Sequence, residues 1–180
     1  MTARAPETIE TARLVLHRPL EADVEEIFAR YASDVNVTRL LGWTRHESLA
    51  DARAFLAYSD VEWSRWPAGP YLVRSRTDGA LLGSTGLAFE TAYRAQTGYV
   101  FARDAWGMGY ATESLQAMIE LSRSLGVRRL YAVCHTGHSA SRHVLEKCGF
   151  LQEGVLHRHT EFPNLAPGDP CDVFCYALLV

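Results

Sequence analysis

Apolar and polar positions change period several times along the chain. Arg13–Pro19 alternates as a strand does, and Pro19 stops it. From Asp23 the spacing turns helical, with Val24, Ile27, Phe28 and Tyr31 on one face. Ser48-Leu49-Ala50-Asp51 reads as a capping box opening a second helix that runs roughly to Trp63. Its face is narrow: Ala52, Phe55, Leu56 and Ser59. Tyr71–Arg76 and Leu81–Phe89 are strands around Thr77-Asp78-Gly79, and Asp-Gly between apolar runs signals a hairpin. Ala95–Phe101 is the next strand. Ala111, Leu115, Met118, Ile119 and Ser122 recur at helical spacing until Gly126. Arg129–Cys134 is β-rich. Thr136–Gly149 holds a short helix with Val144, Leu145 and Cys148 inward. Phe150–Leu156 and Asp172–Leu179 are the last strands, separated by the loop Pro163–Pro170. Residues 1–10 show no period and are expected to be a flexible terminus, frayed through Thr8. Residues 11–180 are expected to form one α/β domain, a mixed sheet of about seven strands with about four flanking helices.

Composition narrows the function classes. The chain has 180 residues, 48% hydrophobic and 22% charged, enough for one sizeable core. A net charge of −3 does not favour nucleic acid as a partner. No apolar run reaches membrane-spanning length, and Met1–Glu10 has no apolar signal core, so no membrane association and a cytoplasmic location are expected. The four cysteines, with no CxxC, read as free thiols in a reducing compartment. Cys134, His135, His138, His157 and His159 repeat no ligand spacing, so no metal is expected.

One stretch carries chemistry. Tyr99-Val100-Phe101 ends a strand, and Trp106-Gly107-Met108-Gly109-Tyr110-Ala111-Thr112-Glu113 leads into a helix. Glycines there let backbone approach a phosphate, and the free N–H groups and dipole of the helix start favour an anion. The dinucleotide fingerprint fails for want of a glycine at Thr112, and a P-loop needs a Gly-Lys-Ser/Thr that the chain lacks.

This stretch resembles the acetyl-CoA loop of the GNAT N-acetyltransferases, in the "W-G-x-G-Y-A-T-E" form of RimJ/RimL-type members. A second block, Ser141-Arg142-His143-Val144-Leu145-Glu146-Lys147-Cys148-Gly149-Phe150 followed by Glu153-Gly154, is similar to their "S-x-x-V-L-E-K-x-G-F" and "E-G". The opening "Thr-x-Arg-Leu-x-Leu-x-x-Pro-Leu-x-x-x-Asp" resembles theirs too, so the likeness runs from Thr11 to the C-terminus.

The resemblance implies acetyl transfer from acetyl-CoA, as cosubstrate, to a primary amine by direct attack. The amine would be a protein N-terminus or a small molecule, and the protein a monomer or homodimer. A bulkier acyl group such as succinyl, or a non-catalytic acyl-CoA-binding role, is the alternative. It further implies that the strands ending at Phe101 and Cys134 splay apart. Pantetheine would pair with backbone near Tyr99, Val100 and Phe101, and the pyrophosphate would rest on the turn of Trp106, Gly107, Met108, Gly109, Tyr110, Ala111 and Thr112. His138 takes the place of an asparagine that often contacts pantetheine. The tyrosine that protonates the thiolate in many GNATs would fall at Leu145, so Ser141 is the nearest hydroxyl for that role. As a plain reading, Ser141 is a helix-start serine. Glu90 is a candidate base or a solvated strand-end charge. Some RimJ/RimL-type members carry a glutamate where Thr160 stands here, with Glu161 one residue off and facing away unless a bulge intervenes. Tyr58, Trp63, Trp66 and Tyr71, with the loop Glu161–Asp172, are candidates to flank the amine, or else core and rim.

Overall fold

The computed structural model describes residues 4–180. One eight-stranded sheet organises them, in the order β1-β2-β3-β4-β5-β6-β8-β7. The strands are β1 (Thr8–Glu10), β2 (Leu14–His17), β3 (Pro70–Ser75), β4 (Leu81–Thr91), β5 (Arg94–Phe101), β6 (Arg129–His135), β7 (Leu151–Thr160) and β8 (Cys171–Leu179). Every neighbouring pair is antiparallel except β5 and β6.

The extra strand is β1, where a frayed terminus was expected. Thr8, Ile9 and Glu10 pair with His17, Leu16 and Val15. Before it, the Ala5 amide donates to Pro67 O at 2.8 Å and the Tyr71 hydroxyl to Pro6 O at 2.6 Å. Three residues are too few to show a period, and the pairing energy comes from β2. Residues 1–3 of the expected tail lie outside the described residues.

The helices are α1 (Val24–Ile27), α2 (Val35–Thr38), α3 (Leu49–Arg65), α4 (Tyr110–Ser124) and α5 (Ser139–Lys147). The face Val24, Ile27, Phe28 and Tyr31 is real, but a 3₁₀ turn precedes α1 and a π turn, Phe28–Ala32, follows it. α2 is one turn capped by the Asp34 carboxylate, which accepts from Asn36 N at 2.7 Å. So short a turn leaves no periodic trace, which is why about four helices were expected and five are found. α3 begins where the capping box put it, with the Ser48 amide donating to Asp51 Oδ2 at 2.9 Å.

The two faces of the sheet bury separate clusters. Tyr71 and Val73 join Leu115, Met118, Leu130 and Leu145 on the α4–α5 side. Leu72, between them, joins Ile27, Tyr31, Ala52 and Leu56 on the α1–α3 side. This is the period-two alternation of a strand buried on both faces. Gly83 of β4 is required by contact: a Cβ there would lie 2.0 Å from Val100 O. Any side chain would push β4 away from β5, which forms one wall of the site.

Candidate active site

β5 and β6 pair at Arg94↔Arg129, Ala95↔Leu130 and Gln96↔Tyr131 and no further. The rest of β5, from Thr97 to Phe101, keeps β4 on one side but not β6 on the other. Backbone groups freed in this way call for water or a ligand. A cavity of about 780 Å³ runs through the gap, lined by Gly98, Tyr99 and Val100 of β5, Cys134 of β6, and His138 and Ser141 of α5. Its size falls within the range of small-molecule sites, roughly 300–1,000 Å³.

The glycine turn stands at the start of α4. Gly107 and Gly109 have φ of +75° and +79°, which glycine adopts freely and β-branched residues resist. Gly109 is the N-cap and offers no side chain, so the first amides of α4 remain without a capping partner. A Cβ added at Gly107 would meet nothing within 4 Å, so this face is open. Trp106 donates its indole N–H to Phe101 O at 2.7 Å and ties the turn to the end of β5. The residues present therefore fit a pyrophosphate on backbone amides.

A brace holds the turn. Glu113 Oε1 accepts from Thr11 Oγ1 at 2.6 Å and from the Arg13 amide at 2.8 Å, and Oε2 pairs with Arg13 Nε at 2.7 Å. Arg13 Nη1 donates to Met108 O at 2.9 Å, and the guanidinium lies over the Tyr110 ring, 4.8 Å from its centre. Burial alone would raise the Glu113 carboxyl, but these hydrogen bonds outweigh it and hold the group below the usual carboxylate range. The brace joins residues about a hundred positions apart, so no local pattern announces it.

Ser141 faces the cavity from α5, and the Tyr99 hydroxyl reaches it across the gap. That hydroxyl lies 3.1 Å from Ser141 Oγ and 3.1 Å from Ser141 O. Tyr99 had been expected to act through its backbone, and its phenol is the group that sequence reasoning missed. Burial drives the phenol well above its ordinary pKa, so it stays protonated. Burial also pushes the Cys134 thiol up to about 11, against a hydrogen bond with Ser141, so it stays neutral and unreactive. His138 lines the cavity at the N-cap of α5, and burial first, then His135, lowers its pKa.

Glu90 does not join this group. It sits near the β4–β5 turn, where it pairs with Arg94 at 2.5 Å and accepts from the Tyr131 hydroxyl at 2.5 Å. It does not line the cavity, because the gap opens toward the other end of β5. Glu161 is also elsewhere. Extra residues do bulge between Leu156 and Thr160, yet Thr160 lines the cavity while Glu161 turns back to accept from Gly168 N at 2.9 Å.

The far half of the cavity is walled by residues 40–46, the start of α3 and Phe162. Of the four aromatics considered for the acceptor side, Tyr58 alone reaches it. Trp63 and Tyr71 are buried core, and Trp66 stacks on Phe89. Trp43, His46 and Phe55 take their place. Asn164 fixes this wall. Its Oδ1 accepts from Arg45 N at 2.8 Å, and its Nδ2 donates to Thr38 O at 2.9 Å and Trp43 O at 2.8 Å.

Known proteins share this fold. The family described as acetyltransferase (GNAT) domain matches residues 13–151. An uncharacterized N-acetyltransferase of Bacillus subtilis, YoaA, is 32% identical over 179 residues, covering 95% of this chain and 96% of the relative. Among solved structures, the RimL ribosomal L7/L12 α-N-protein acetyltransferase in complex with coenzyme A superposes with a TM-score of 0.85 at 22% identity, covering 97% of this chain and 98% of that one. Spermidine N-acetyltransferase of Vibrio cholerae, in complex with CoA and spermine, gives 0.78 at 18%, covering 94% and 96%. With a family match across most of its length and the splayed strands and glycine turn in place, this chain belongs to the GNAT family of acetyltransferases.

Proposed function

We propose that the protein moves the acetyl group of acetyl-CoA onto a primary amine at the gap between β5 and β6, with Ser141 beside the leaving sulfur. The observation that carries this reading is the run Thr97–Val100, paired with β4 but not with β6, which lines the same cavity as Ser141 and leads toward the glycine turn.

Acetyl-CoA supplies an activated thioester. The amides of Gly107–Thr112 and the start of α4 bind its pyrophosphate, and the open edge of β5 orients its pantetheine. The Phe101 backbone N–H, on the side of β5 away from β4, donates to the carbonyl oxygen as negative charge grows there, while Val100 N–H faces β4. Ser141 donates to the sulfur as the C–S bond breaks. The Tyr99 hydroxyl lies 3.1 Å from both Ser141 O and Ser141 Oγ and so fixes where the serine stands. Tyr99 is thus a positioning residue for Ser141. The amine proton leaves through water or a group outside the sequence candidates, since Glu90 stands apart. Four free thiols support a reducing, cytoplasmic setting.

The test is thiol release from acetyl-CoA across a panel of peptides and small amines. Saturable, amine-dependent release is expected. Acetyl-CoA binding with no amine-dependent release from any panel member would favour the non-catalytic role. A higher kcat/KM with succinyl-CoA would favour the bulkier acyl group.

A further inference from the structure

His46 lines the far half of the cavity beside Trp43, Phe55, Tyr58 and Phe162. Its Nδ1 is sealed from solvent and has no hydrogen-bond partner. Nε2 is not sealed in this way, and no side chain or backbone group among the described residues bonds to it. The ring packs tilted against Trp43, with centres 5.2 Å apart, and its amide donates to Ala32 O at 3.0 Å, so its position is fixed.

Protonating this ring would bury a charged N–H at Nδ1 with nothing to receive it, a costly state. The neutral tautomer with its hydrogen on Nε2 leaves only a lone pair in the sealed position. Burial lowers the His46 pKa, and the Asp51 charge offsets this only in part. His46 therefore offers the cavity an N–H and does not act as a base.

The charges nearby point the same way. Asp51 is the one carboxylate among the lining residues, and its Oδ2 already accepts from Glu47 N, Ser48 N and Ser48 Oγ. Arg45 is the one lining residue with a fixed positive charge, shared in part with Glu47 at 3.5 Å and Ser33 O at 3.4 Å. A polyamine needs several carboxylates to receive its ammonium groups, and this wall does not supply them. A donor, a cation and the rings of Trp43, Phe55, Tyr58 and Phe162 suit a different ligand.

We infer that His46 is a specificity-determining residue. Its Nε2–H binds a carbonyl or carboxylate oxygen carried next to the acceptor's amine, on an acceptor with an apolar or aromatic body. The chemical class is an α-amino acid or its amide, and not a polyamine. This rests on the acetyl-transfer reading above.

The test compares four acceptors at saturating acetyl-CoA: phenylalanine, phenylalaninamide, phenethylamine and spermidine. Phenylalanine or its amide should exceed phenethylamine at least about tenfold in kcat/KM, the scale for losing one hydrogen bond to a buried polar group. Spermidine should be the poorest. His46→Phe keeps a ring without a donor and should erase the preference, chiefly through acceptor KM. His46→Asn restores a donor and should recover part of it. Acetyl-CoA affinity by calorimetry should stay unchanged in both variants. Spermidine as the best acceptor, no turnover of any of the four, or a preference untouched in His46→Phe would overturn the inference while acetyl-CoA still binds. Failure of the wild-type protein to bind acetyl-CoA would instead bring down the acetyl-transfer reading and this inference with it.

Discussion

The two halves of the cavity are built in opposite ways. The half that we assign to acetyl-CoA runs along β4, β5 and β6 to α5, and the glycine turn and α4 follow β5 directly in the chain, outside the cavity lining. What this region offers is backbone: the open edge of β5, left-handed glycines and a helix start. The far half, which we assign to the acceptor, is assembled from residues 40–46, the start of α3, Thr160 and Phe162, which are more than a hundred positions apart in part. Its parts are side chains, and Asn164 holds the segments together. Backbone chemistry suits a cosubstrate that never varies. Side chains on loops suit a second substrate that can differ from one relative to the next.

This contrast can be broken at its most rigid point. Gly109→Val forces a β-branched residue into φ near +79° and sets its Cβ about 3.4 Å from Arg13 Nη2. Acetyl-CoA affinity should fall by about a hundredfold or more, ~3 kcal/mol, while circular dichroism shows an intact fold. An unchanged affinity in a calorimetric titration would remove the glycine turn from the site.

The chemistry between the halves comes next. Ser141→Ala should lower kcat by roughly ten- to a thousandfold, the range for one acid–base group or less. KM for acetyl-CoA should hardly move, because the contact strengthens only as charge develops on sulfur. Tyr99→Phe should cost less, about three- to tenfold, and the double variant should be no worse than Ser141→Ala if the phenol acts through the serine. Strictly additive losses in single-turnover kinetics would separate the two residues.

The acceptor wall should respond differently. Asn164→Ala removes three hydrogen bonds to backbone and should raise acceptor KM about tenfold, with acetyl-CoA affinity unchanged. An equal loss on both substrates would mean that the two halves are not independent. The smallest effect belongs to Glu90→Gln. Its carboxylate serves Arg94 and Tyr131 on the surface, so kcat/KM should stay within about twofold of wild type, as for exposed pairs generally. A large drop would return Glu90 to the catalytic candidates.

The same division governs what could be read in advance. The fold was legible where a period ran long enough. α3, α4, α5 and strands β2 to β8 fall close to the expected segments. β1 and α2 were missed because three or four residues carry no period and owe their form to a partner strand and a cap. In the site, the turn residues were legible because glycines at fixed offsets state a backbone requirement by themselves.

The sequence alone determined the order of most elements, the glycine turn before α4 and the serine at the start of α5, all of which follow from neighbours in the chain. Tertiary structure alone decided that Tyr99 reaches Ser141, that Arg13 and Glu113 brace the turn, and that Glu90 lies outside the cavity lining. It also decided that His46 lines the far half of the cavity and that Asn164 holds the chain around it. The physical reason is range. Backbone conformation and helix starts are set by residues a few positions apart, whereas a side chain's partner is set by which strands lie side by side. No local pattern encodes that.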